Sequence, residues 1–149
     1  MQIKMALAGN PNAGKTTLFN QLTGARQHVG NYPGITVDHK EGHLQFKNKA
    51  VIITDLPGTY SMTAYSAEEL VARDYLVYNR PQVVINIVDA SNLERNLYLT
   101  CQLLELGAPL VVALNMMDVA EARGIEINAA VLEKHLQVPV VPIIARSGF

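Results

Sequence analysis

The stretch GNPNAGKTT, residues 9–17, decides how this chain is read. It has the spacing G-x-x-x-x-G-K-[ST], directly after the apolar run IKMALA (3–8) and before a helical pattern at Thr16–Leu22. A phosphate-binding loop requires that strand–loop–helix setting. Gly9 and Gly14 let the backbone turn tightly, so that successive N–H groups face phosphate oxygens. Asn10, Pro11, Asn12, Ala13 and Thr17 complete the expected lining. Lys15 brings a point charge to the β- and γ-phosphates, and the Thr16 hydroxyl is placed for Mg²⁺. The helix start adds its positive dipole end.

Outward from this loop, short apolar runs alternate with helical patterns: AVIIT (50–54), VVINIV (83–88), PLVVAL (109–114) and VPVVPII (138–144). Runs of this length, rich in Val and Ile, argue for an α/β fold with a parallel sheet covered on both faces. Ala67–Tyr78 reads as one helix and Leu93–Leu106 as another, with Ser91 or Asn92 as cap and Gly107 at its exit. The stripe Leu93, Leu97, Thr100, Leu104 has helical spacing and is expected to face the sheet, and Cys101 beside it to be a small core residue. HKEGHLQFKNKAVII (39–53) alternates and turns at Lys47–Lys49, which predicts a hairpin. The expected sheet has six strands, mostly parallel, with one antiparallel edge strand. The sequence ends five residues after the last apolar run, where a doubly wound fold normally adds a covering helix. It therefore reads as a piece of a larger protein, residues 1–149 forming one domain without its final helix. A strand left bare there is also a place for a second copy of the chain.

The bulk numbers exclude several classes. With 49% hydrophobic and 17% charged residues the chain is globular. A net charge of −1, with Lys and Arg scattered, gives no footprint for nucleic acid. The single cysteine rules out an intrachain disulfide. No apolar run approaches the ~18 residues of a membrane helix, so this segment is expected to be soluble.

Three further motifs follow in order. DLPG (55–58) stands after a strand, where Asp55 is placed for Mg²⁺ and the Gly58 N–H for the γ-phosphate, with Leu56 and Pro57 between them. NMMD (115–118) follows PLVVAL. There Asp118 can accept from the N1–H and N2–H₂ edge of guanine, which adenine lacks. Asn115 can bridge to the base N7 and tie neighbouring loops, while Met116 and Met117 lie beside the base. Glu68 and Glu69 begin a helix, where they favour its dipole.

Two loops complete the pattern. GNYPGITVDHKEG (30–42) suits a mobile loop, with Thr36, preceded by Gly34 and Ile35, placed to close on Mg²⁺ and the γ-phosphate. PIIARSG (142–148) is expected to give the last base contact, from the Ala145 N–H to O6 and flanked by Ile144 and Arg146. Ile144–Ala145 replaces the usual Ser-Ala pair, which leaves the register of that contact open.

These segments resemble the Ras-like P-loop GTPases. GNPNAGKTTLFNQLTG, VGNYPGITVDHKEG, DLPGTYSM and IVDASNLERNLYLTCQLLELG look like the N-terminal G domain of the ferrous iron transport protein B (FeoB) family, from Ile3 to about Ile144. The resemblance implies GTP and GDP as ligands, and a continuation into helical and membrane domains that carry Fe²⁺. It also implies a place on the cytoplasmic side of the inner membrane. Many GTPases carry a water-orienting Gln after the Asp-x-x-Gly motif, whereas here Thr59 and Tyr60 follow. The resemblance implies that K⁺, held by Asn12, assists hydrolysis instead, with Lys15, Thr36 and Gly58 completing the chemistry. Two alternatives stay open: a GTPase of ribosome or tRNA maturation, and a nucleotide-dependent binding switch with negligible turnover.

Overall fold

The computed structural model describes residues 2–24, 26–33, 37–63 and 65–147. The elements run β1 (Gln2–Gly9), α1 (Lys15–Thr23), β2 (Gln27–Asn31), β3 (Asp38–Phe46), β4 (Lys49–Asp55) and α2 (Ala67–Asp74). They continue with β5 (Val83–Asp89), α3 (Leu93–Glu105), β6 (Leu110–Asn115), α4 (Met117–Ala122), α5 (Ala129–Leu136) and β7 (Val140–Pro142). One sheet of seven strands has the order β2-β3-β4-β1-β5-β6-β7. The β4, β1, β5, β6 and β7 strands run parallel, and β3 is antiparallel to both its neighbours.

The alternation of side chains along each strand builds two cores. On one face Ala6, Ala8, Val84, Val88, Val112 and Leu114 pack against Leu76 of the second helical segment and Leu99 and Leu103 of α3. On the other, Leu7, Val51, Ile53, Ile87 and Ala113 pack around Phe19 of α1. Phe19 is fully buried, and its truncation to Ala would cost about 3–5 kcal/mol. The β3–β4 hairpin turns on Lys47 and Asn48, both left-handed (φ 48° and 63°). That two-residue geometry matches the twist of the strands it joins.

The structure departs from the sequence reading at the sheet edge, in the helix from Ala67 and on α3. The antiparallel β3 is not the edge, because β2 adds a seventh strand outside it. The stretch QHVGN shows no period-two apolar pattern, since four of its five residues are exposed. The helix from Ala67 ends its α-helical part at Asp74 and continues as a π-helical turn, Tyr75–Asn79, where the Tyr75 hydroxyl donates to Thr54 Oγ1 at 3.0 Å.

On α3 the expected stripe does face the core, with Thr100 fully buried and Leu93 and Leu104 packed against it, but the most buried line is Asn96, Leu99, Thr100 and Leu103. Its start is organised by Asp89, whose carboxylate accepts from the Ser91 N–H at 2.8 Å, while the Asn92 side chain makes no capping bond. Cys101 is exposed, because it lies off that buried line. The helix is set by polar contacts that an apolar count cannot register. Asn96 accepts from the Asp89 N–H at 3.0 Å and donates to the Asn92 carbonyl at 2.9 Å. Thr100 Oγ1 donates to Asn86 Oδ1 at 2.5 Å, and Asn86 donates to the Ala8 carbonyl at 3.3 Å. This ladder links the start of α3 to β1, the strand that carries the phosphate loop.

Candidate nucleotide-binding site

The carboxyl ends of β1, β4 and β6 meet along one rim, which is where ligands bind in doubly wound sheets. Three adjoining cavities form a groove there. The first, about 320 Å³, is lined by Lys15, Thr16, Asp38, Asp55, Gly58 and Glu68 among others. The second, about 470 Å³, shares Lys15, Thr16 and Gly58 and adds Asn10, Pro11, Asn12, Gly14 and Thr17. The third, about 120 Å³, shares Gly14, Thr17 and Met116 with the second and ends at Asn115, Asp118, Ile144 and Arg146. A larger hollow of about 620 Å³ beside β7 reaches none of the phosphate-loop residues.

The phosphate end is built from backbone. Gly14 has φ 99°, and a Cβ there would stand 2.2 Å from Asn115 Nδ2, so only glycine fits. The loop after β4 rides on β1: the Leu56 N–H donates to the Leu7 carbonyl and the Thr59 N–H to the Gly9 carbonyl, both at 3.0 Å. A Cβ on Gly58 would meet Pro11 Cα and N at 3.2 Å, so the two loops are in close contact. Lys15 Nζ donates to Asp55 Oδ1, with both side chains at least nine-tenths buried. Asn12 is exposed at φ 70°. Asn10 is 3% exposed, and neither polar atom of its amide has a partner among the described residues.

Asn115 joins the two ends. Its buried side chain donates to the Ala13 carbonyl at 3.0 Å and accepts from the Ala145 N–H at 2.9 Å. That N–H, expected at the base O6, is directed here to Asn115. Gln21 Nε2 holds the same residue by donating to the Ala145 carbonyl at 2.9 Å. Met116 is left-handed (φ 61°) and precedes α4, whose first turn carries Asp118. Met117 begins that helix, and Asp118 Oδ2 accepts from the Arg146 guanidinium.

Gly34, Ile35 and Thr36 lie outside the described residues, and the Tyr32 N–H donates to the Val37 carbonyl at 3.0 Å across their loop. The Tyr32 side chain is half-buried. Its ring packs 4.6 Å from that of His39, and its buried hydroxyl has no partner among the described residues. Burial, and then the proximity of Tyr75, Asp55 and Glu41, pushes this phenol up to about 12.

Glu69 lies in the first turn of α2, where it favours the helix dipole, and it does more. Its carboxylate accepts from the hydroxyls of Ser61, Thr63 (2.9 Å) and Ser66 (3.1 Å), and its N–H donates to Ser66 Oγ at 3.1 Å. These bonds, Ser61 first, hold it below the usual carboxylate range. The visible signal is the capping box Ser66-x-x-Glu69, which couples α2 to the loop after Gly58.

The sequence profile of the family described as "Ferrous iron transport protein B" matches residues 3–149. The chain belongs to that family. Outside the profile, it is 52% identical to the Fe(2+) transporter FeoB of Shigella flexneri and of Escherichia coli strain K12, across 99% of the chain and 20% of each transporter. It thus spans about one fifth of the length of these relatives. Among solved structures, the FeoB G-domain of Methanococcus jannaschii superimposes with a TM-score of 0.86 at 49% identity, covering 98% of this chain and 88% of that one. The cytosolic domain of L. pneumophila FeoB gives 0.92 at 50% identity, covering 98% and 63%. A variant of S. thermophilus NFeoB bound to mGDP gives 0.93 at 53%, covering 99% and 56%. The fold of this FeoB domain is therefore the Ras-like G-domain fold. No helix among its described residues is long and apolar enough to cross a membrane.

Proposed function

We propose that this chain binds GTP and GDP, hydrolyses GTP, and works on the cytoplasmic side of the membrane as the regulatory domain of an Fe²⁺ transporter. The carrying observation is the continuous groove in which Asn115 bonds both the phosphate loop and the base-side loop. Relatives bound to guanine nucleotides support the same reading.

The residues fit Mg²⁺: the Asp55 carboxylate and the Thr16 hydroxyl line one cavity and are the hard oxygen donors it prefers. Mg²⁺ neutralises charge that develops on the phosphates. For its ligands to serve, Lys15 has to leave Asp55 and turn to the β- and γ-phosphates, which frees the carboxylate. Thr36 is the proposed ligand from the first switch loop, and the Gly58 N–H the contact that senses the γ-phosphate. At the base, Asp118 accepts from N1–H and N2–H₂, which selects guanine over adenine.

Hydrolysis requires water to attack the γ-phosphorus as the bond to the β–γ bridging oxygen breaks. Thr59 and Tyr60, not a glutamine, follow Gly58, where a glutamine often orients that water. Thr59 is buried, its N–H is committed to Gly9, and the exposed Tyr60 ring lies under Arg95 at 4.5 Å. Asn12 offers an amide oxygen at the phosphate cavity, a donor suited to K⁺, which supplies positive charge where an arginine finger would act. Backbone near Thr36 then positions the water.

Single-turnover hydrolysis by this chain in K⁺ and in Na⁺, at equal ionic strength and saturating Mg²⁺, tests this. Faster turnover in K⁺, lost in Asn12→Ala, is expected. GTP persisting for hours in K⁺ would instead make the domain a binding switch.

A further inference from the structure

We propose that Arg146 is an internal stand-in for the guanine base, so that nucleotide entry requires an exchange of partners on Asp118. This rests on the reading of Asp118 as the base acceptor.

The guanidinium of Arg146 donates through Nη2 to Asp118 Oδ2. A guanidinium presents two N–H donors on one planar N–C–N unit, as does the N1–C2–N2 edge of guanine. Here one of those donors, Nη2, meets Asp118 Oδ2, so the carboxylate accepts from the chain a bond that the base would otherwise supply. The arrangement is held from behind. Residue 145 is fixed at both its N–H, by Asn115, and its carbonyl, by Gln21. Arg146 is therefore anchored at the rim of the base cavity, which it and Asp118 both line. Its side chain is 75% exposed and that of Asp118 only 29%, so the arginine can swing into solvent while the carboxylate stays.

A competitor inside the free protein slows association and weakens apparent affinity by the fraction of time that it occupies the acceptor. For an exposed ion pair this amounts to about two- to fivefold. A clamp that closed over the bound base would do the opposite.

Stopped-flow association of fluorescent mant-GDP separates the two. In Arg146→Gln, association is expected to be about two- to fivefold faster than in the parent chain, with the gap closing as salt rises. In Asp118→Asn, which removes the charge and presents an amide to the base, xanthine diphosphate should replace GDP as the preferred ligand. On that background Arg146→Gln should leave association of the xanthine nucleotide unchanged. Unchanged or slower mant-GDP association in Arg146→Gln would overturn the proposal while leaving the base reading intact. An acceleration that persists in the double variant would also overturn it, since Arg146 would then not act through Asp118. If Asp118→Asn leaves the preference for GDP over the xanthine nucleotide unaltered, the base reading fails first and the proposal with it.

Discussion

The two ends of the groove are built by different means. At the phosphate end the shape is set mostly by backbone, a left-handed Gly14 and a loop stacked on Pro11 through Gly58, with one buried side-chain pair, Lys15–Asp55. At the base end it is set by side chains on short elements, with Met116 following Asn115, Ile144 before Ala145, and an Asp118 carboxylate paired with a largely exposed Arg146. Phosphate geometry is common to every nucleotide, so its cradle leaves little room for substitution. Base recognition rests on a few hydrogen bonds, each adjustable by one residue.

The sharpest break of this contrast is Gly14→Ala. A Cβ at 2.2 Å from Asn115 Nδ2 and a left-handed backbone leave no room, so mant-GDP affinity should fall more than about a hundredfold. Lys15→Ala should abolish retention of the nucleotide. It also strands a buried Asp55, at about 3–5 kcal/mol of stability in a denaturant titration.

Asn115→Ala should damage both ends together. It leaves the Ala13 carbonyl and the Ala145 N–H unpaired, at about 1–3 kcal/mol each in thermal unfolding, and weakens GDP binding. Asp118→Asn should spare stability, because its exposed ion pair is worth at most about 1 kcal/mol. GDP affinity should nevertheless drop about ten- to a hundredfold, as expected for charged hydrogen bonds lost to the base.

The smallest effect belongs to Glu69. Its carboxyl is held low by hydrogen bonds in the folded state, so the ordering of residues 61–63 is present above the ordinary glutamate pKa. It is lost as pH falls through the lowered value. Hydrogen exchange at the Met62 amide, which donates to Gln102 Oε1, should show that acid step in the parent chain and lack it in Glu69→Gln.

These differences track what was legible in the sequence. The phosphate loop, the Asp55–Gly58 turn and the parallel core could be read because a glycine spacing or a run of β-branched residues states a backbone requirement directly. The partners of Asn115 were anticipated in kind, as a tie between loops, but not by residue. The register of the Ala145 N–H was not readable, since it depends on Gln21 and Asn115 from distant segments. Strand β2 was missed because an edge strand with one valine carries no apolar alternation. The burial of Asn96 on α3 could not be read, because its bonds to the Asp89 N–H and the Asn92 carbonyl are polar contacts that hydrophobic periodicity does not count.

Competition at the groove tests the central claim most directly. Bound mant-GDP would be displaced from this chain, in Mg²⁺, by unlabelled GDP or by ADP at the same concentrations. Displacement by GDP at concentrations where ADP leaves the signal untouched is the predicted result. Equal displacement by the two, or failure of the chain to bind mant-GDP at all, would contradict a guanine-nucleotide site built on Lys15 and Asp118.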